Sequence, residues 1–189
     1  MKKILLFLSA VLLALLAPAY ARAEAPAVTS KPTMLTMFGG AGIVMGITHE
    51  EDVAKLHQAA ASFMTYSGCE RLGEEIDGPY RNYIADNPIQ SEPSAAWLQG
   101  LGKAVGADYV TLVWSELSGF KAPGYFHTSV KAINTTTIRI IRTSDGSTLL
   151  NAEARRDGKI EAEALQCALA ALENAKHVEK ENHIIFVKK

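Results

Sequence analysis

The chain has 189 residues, with 19 basic and 20 acidic side chains and a formal net charge of −1. That balance excludes a basic field of the kind that holds nucleic acid or an anionic membrane surface. Beyond the amino terminus, no apolar run is long enough to cross a bilayer as a helix.

Lys2 and Lys3 precede an apolar run from Ile4 to Ala17, followed by Pro18 and then Ala21-Arg22-Ala23. A basic start, a short apolar stretch and an A-x-A motif make an export signal, expected to be cut after Ala23. A cut after Ala21 is the alternative. No cysteine stands at either cut to accept a lipid anchor. Removal of Lys2, Lys3 and Arg22 takes the net charge from −1 to about −4, further from a nucleic-acid binder. The expected location is the periplasm or outside the cell, with no stable membrane anchor.

Glu24 to Thr33 is rich in Ala, Pro, Ser and Thr and reads as a flexible leader. Residues 34–189 then form a single domain, long enough for a substantial core. Met34 to Phe38 is a first strand. Gly39-Gly40-Ala41-Gly42-Ile43-Val44-Met45-Gly46 follows. Its spacing is G-x-G-x-x-x-G and no G-K-[ST] follows, so it reads as a turn or bulge and not as a nucleotide cradle. Thr48 and Glu51 suit a capping box, opening a helix that buries Val53, Leu56, Ala60, Phe63 and Met64. The helix ends near Gly68. His49 and His57 lack a zinc-ligand frame, and no metal or cofactor is expected.

Glu70, Glu74, Glu75 and Asp77 make an acidic stretch, and Gly78-Pro79 a turn. Tyr80 to Ile84 is read as a strand. Ser91 or Ser94 caps a second helix, whose stripe is Trp97, Leu98, Leu101 and Val105. The strand after it, Tyr109 to Leu117, is apolar on both faces. Val110, Leu112 and Trp114 share one face, and Tyr109, Val113 and Leu117 the other. That pattern marks a strand covered on both sides and is the centre of the expected fold.

Ser118 to His127 is a Gly/Pro loop carrying Phe120, Tyr125, Phe126 and His127. Exposed aromatics on such a loop suit a partner surface; folded back, they fill the core edge. Val130 to Arg142, then Asp145-Gly146, then Thr148 to Arg155 reads as a hairpin with one wet face. Leu150, Ala152 and Ala154 take the dry one. Asp157-Gly158 turns into a helix over Lys159–Lys176, and His183 to Val187 is a last strand, expected beside the first. Cys69 and Cys167 leave two readings open: a disulfide, or two buried thiols.

The expected architecture is α+β: a mixed sheet of about five strands with three helices packed mainly on one face. Within it, the run Leu101-Gly102-Lys103-Ala104-Val105-Gly106-Ala107-Asp108-Tyr109-Val110 resembles the signature of a bacterial envelope accessory-domain superfamily. That group includes the amino-terminal domain of the Tol-system translocation protein, the curli secretion lipoprotein and outer-membrane lipoprotein activators of penicillin-binding proteins. The resemblance covers Ser94 to Ala175. It implies a binding or assembly module, without catalytic residues, whose partner is another envelope protein. No G-x-S-x-G and no Cys-His frame is present. The alternatives are a small exported hydrolase using Glu74, Glu75 or Asp77 with His127, and a small-ligand carrier built round a closed apolar cavity.

Overall fold

Seven consecutive residues, Tyr109 to Ser115, are all buried. A strand alternates its side chains, so such a run needs cover on both faces of its sheet. The computed structural model describes residues 30–73, 76–121 and 130–188, and it supplies that cover. In chain order, Thr33–Gly39 is β1, Ala41–Gly46 α1, Glu50–Tyr66 α2, Glu70–Arg71 β2 and Asp77–Asp86 α3. Ala95–Val105 is α4, Tyr109–Lys121 β3, Lys131–Arg142 β4, Thr148–Lys159 β5 and Ile160–Glu181 α5.

The strands form one sheet in the order β2-β1-β3-β4-β5, with β3 in the middle. β1 runs parallel to β2 and to β3, whereas β3, β4 and β5 form an antiparallel meander. The sheet is therefore mixed and five-stranded, and the class is α+β. Tyr109 and Val113 face a core with Met34, Ile138, Ile140 and Leu150, closed by α2 and α5. Val110, Leu112 and Trp114 face a second core with Leu35, Met37 and Ile141, closed by Leu98, Leu101 and Val105 of α4. The described helices number five and not three, and they cover both faces and not mainly one. α1, α2 and α5 take one side; α3 and α4 take the other.

The signature run has a structural explanation. Ser94 Oγ accepts from the Trp97 N–H at 3.2 Å and opens α4. Gly106 ends it in the left-handed region at φ 73°, which costs a residue without Cβ little. Ala107 is buried. Asp108 then accepts from Thr33 N–H at 2.8 Å and Thr33 Oγ1 at 3.0 Å, and its own carbonyl accepts from Thr143 N–H at 2.9 Å. One residue thus joins the starts of β1 and β3 to the β4–β5 turn.

Four sequence expectations are corrected. Tyr80 to Ile84 lies in α3 and not in a strand. Tyr80 and Tyr83, three apart, fall on one helical face against the α4 core, while Gly78 and Pro79 sit in the first turn, where a missing N–H is harmless. The Thr48 capping box does not form: His49 is the N-cap, without a side-chain bond, and Val53 is exposed. β5 continues through Asp157-Gly158 to Lys159, and the last helix spans Ile160–Glu181. His183 to Val187 is not a strand. It is pinned instead by Tyr109, whose hydroxyl donates to the Val187 carbonyl (2.8 Å) and accepts from its N–H (3.0 Å). Phe186 meets the Tyr109 ring edge-on at 5.0 Å.

The glycine run is neither a loose turn nor a phosphate cradle. After a turn at Gly40 (φ 91°) it forms the six-residue α1, pressed onto β3. A Cβ on Gly42 would come within 2.9 Å of the Ser115 side chain even at its Cβ, and nearer still at its hydroxyl. Beneath it, Thr136 Oγ1 donates to Ser115 Oγ at 3.0 Å, and the fully buried Asn134 has no partner for its side-chain amide.

Candidate binding surface

β3 outruns its cover. Through Ser115 it is buried; from Glu116 onward its residues are exposed, Leu117 apart. α3 and α4 cover β1, β3 and the Ile141 end of β4, so the rest of the outer strands presents Thr135, Thr137, Asn151, Glu153 and Arg155 on that side, half-buried or exposed. Trp114 stays in the core at 8% exposure, and its Nε1 donates to Glu116 Oε1 at 3.2 Å. Gly119 (φ 59°) sits where the β3–β4 register shifts between Ser118 and Lys121. Past that bulge, Phe120 is 57% exposed, and Val130 on the facing strand end is 39% exposed. Lys121 and Asp157 approach to 3.5 Å across this end, both in water. An exposed pair like that contributes at most about 1 kcal/mol and serves to keep the rim polar.

Phe120 is therefore a described, exposed aromatic at the end of a rigid central strand. Tyr125, Phe126 and His127, expected to share its surface, lie outside the described residues. Of the rival acid–base group, Glu74, Glu75 and His127 also lie outside them. Asp77 is exposed in the first turn of α3, 4.0 Å from Arg81. Among the described residues, no three His, Cys, Asp or Glu side chains gather as metal ligands, and no helix is long and apolar enough to cross a membrane.

The two cysteines are free and buried, so the cross-link weighed from sequence is not formed. Cys167 Sγ lies 3.2 Å from the Ala154 carbonyl and 3.4 Å from that of Asn134. Burial, with the Glu179 and Asp108 carboxylates nearby, pushes the Cys69 thiol up to about 12. Glu179 is itself buried. Burial raises its pKa, and the Ser67 hydroxyl, donating to Oε2 at 2.7 Å, partly offsets this. Neither thiol carries the marks of a nucleophile.

A second feature was not visible in the sequence. Beside β1 lies a half-open groove of about 330 Å³, lined by Thr36 and Phe38, by His57, Ala61 and Met64, and by Leu72. The His57 ring packs edge-on to Phe38 at 4.8 Å. Strand pairing sets this groove, and pairing is not written in any local motif.

No family model and no curated protein matches the chain. Solved structures do. The chain is similar to the PelC dodecamer from Paraburkholderia phytofirmans at 15% identity and TM-score 0.40, over 78% of this chain and 89% of that one. It is similar to the LpoB C-terminal domain from Escherichia coli at 12% identity and TM-score 0.40, over 71% and 88%. It is similar to the lipoprotein GNA1162 from Neisseria meningitidis at 11% identity and TM-score 0.37, over 76% and 96%. All three likenesses lie under 25% identity and under a TM-score of 0.5. At such TM-scores, what the chain does has to be read from its own residues.

Proposed function

We propose that this chain is an exported module of the bacterial cell envelope that binds or helps assemble another envelope protein, and that it catalyses no reaction. Its export signal and its α4–β3 signature support the compartment. The observation that carries the binding role is Phe120, a large aromatic left in water at the end of the central strand. Exposed aromatics held on a rigid element are the residues from which interfaces draw most of their energy. Tyr125, Phe126 and His127, five to seven residues further on in the chain, are assigned to the same partner in this reading.

The test is affinity capture from native envelopes with the tagged mature chain, comparing wild type with a Phe120/Tyr125/Phe126→Ala variant. Loss of one or more specific partners in the variant, with unchanged thermal unfolding, is the expected result. Equal recovery from both sinks the surface assignment. Sequencing of the exported protein should begin at Glu24, and retention of the Lys2-Lys3 segment would contradict the cleavage expected at Ala23.

A further inference from the structure

Among the described residues, one edge of the sheet is left open beyond β2. β2 pairs with β1 only at Thr33↔Glu70 and Met34↔Arg71, whereas β3 follows β1 on its other side as far as Gly39↔Trp114. Two bonds fix which way the β1 main chain points. The Pro32 carbonyl accepts from Glu70 N–H at 2.8 Å, on the β2 side; the Thr33 carbonyl accepts from Asp108 N–H at 3.1 Å, on the β3 side. Main-chain groups alternate sides along a strand. Those of Thr36 and Phe38 therefore point to the β2 side, past the place where β2 ends. The half-open groove lies there, between α2 on one side and Leu72 and Ile76 on the other. Thr36 Oγ1, also lining it, is buried without a hydrogen-bond partner.

We propose that this groove takes an extended segment of a partner polypeptide, added to β1 as a further strand. A strand edge specifies its occupant. It offers N–H and C=O groups at a fixed repeat, and another extended main chain matches that repeat where a helix does not. β2 already shows the mode over two residues, and among the described residues no other strand takes up the ladder beyond them. The walls suit the occupant's alternating side chains: His57, Ala61 and Met64 on one side, Leu72 and Ile76 on the other. The opposite edge of the sheet is guarded. There β5 exposes Glu153, Arg155, Arg156 and Asp157, and Asn174 of α5 donates to the Glu153 carbonyl at 2.8 Å. Leu35 to Gly39 carries no charged residue at all.

Hydrogen exchange and peptide selection test this on the mature chain. In the free protein, the Thr36 and Phe38 amides should exchange at least about 100-fold faster than those of Leu35 and Met37, which face β3. Phage-displayed random dodecapeptides are then panned on wild type and counter-panned on Thr36→Pro. Proline there removes an edge N–H and no bond to β3. Selected peptides should bind wild type at least about 10-fold more tightly than Thr36→Pro, lose binding when alternate main-chain amides are N-methylated, and slow exchange at Thr36 and Phe38. Retained protection at Leu35 and Met37 shows that the variant is folded; if it is not, Ala61→Trp, which fills the groove from α2, takes its place. Protected Thr36 and Phe38 amides in the free chain overturn the proposal. So do the absence of any discriminating clone, peptides indifferent to N-methylation, and self-association at this edge seen by sedimentation. Failure of the Phe120 surface leaves these readouts untouched, because they report on β1 alone.

Discussion

The Asp108 carboxylate accepts from both the N–H and the hydroxyl of Thr33, 75 residues away, through a single oxygen. This contact ties the first strand to the central one at the point where both begin. Bonds to an ionised acceptor are among the stronger ones, so Asp108→Ala should lower stability by about 2 kcal/mol. Asp108→Asn keeps a neutral acceptor and should lose about half of that. Urea unfolding measures both. Equal losses would mean that the charge on Asp108 contributes nothing.

Glu179 gives a pH dependence whose sign is fixed. Burial holds its carboxyl above the ordinary 4.5, so the native state keeps a proton that the unfolded chain releases. Stability from this group is complete below 4.5 and is lost as pH rises through the folded value. Glu179→Gln has no such loss. The variant should match wild type near pH 4 and gain on it towards pH 7. Thermal unfolding across that range, wild type against variant, should show a gap that widens with pH. A constant gap would show that the carboxylate stays charged in its burial site.

Much of the sheet was legible, because β3 writes its position into its own composition. Tyr109 to Leu117 is apolar on both faces, and a covered central place for β3 in the sheet follows from that. The hairpin was legible from Asp145-Gly146 and the alternation of Leu150, Ala152 and Ala154. The errors fell where the chain satisfies itself through distant partners. Tyr80 to Ile84 reads as a strand, but it is helical, its Tyr80 and Tyr83 face is defined by α4, and the Tyr83 hydroxyl donates to the Trp97 carbonyl at 2.9 Å. Ile184 to Val187 has strand composition, yet Tyr109 takes the backbone groups of Val187. The Gly/Pro surroundings of Phe120 left open whether it folds back onto the core or stands in water, and it stands in water. The groove on β1 was not legible, because it exists only where β2 stops short.

The free thiols make a chemical prediction. Cys69, pushed up to about 12, holds almost no thiolate at pH 8, and Cys167 is completely buried. Iodoacetamide at pH 8 should leave the mass of the native protein unchanged over an hour. In denaturing urea both thiols should alkylate, giving two adducts by mass spectrometry. A native protein isolated from the envelope that shows no alkylation in urea would contain the cross-link that this structure lacks.

Gly42 of α1 lies against Ser115 of β3 with no room for a side chain, and the two should be coupled energetically. A Cβ at position 42 meets the Ser115 hydroxyl and approaches its Cβ at 2.9 Å, with Asn134 Oδ1 at 3.2 Å. β3 is central and cannot yield, so α1 must lift. Gly42→Ala should cost about 1–3 kcal/mol by overpacking. Ser115→Ala removes the hydroxyl that the new methyl strikes, though it also strips Thr136 of its acceptor. The double variant should therefore be more stable than the sum of the single losses allows, by at least about 0.5 kcal/mol in a double-mutant cycle. Strict additivity would mean that the obstruction lies in the β3 backbone, and that the glycines of α1 answer to the strand itself and not to the side chain at position 115.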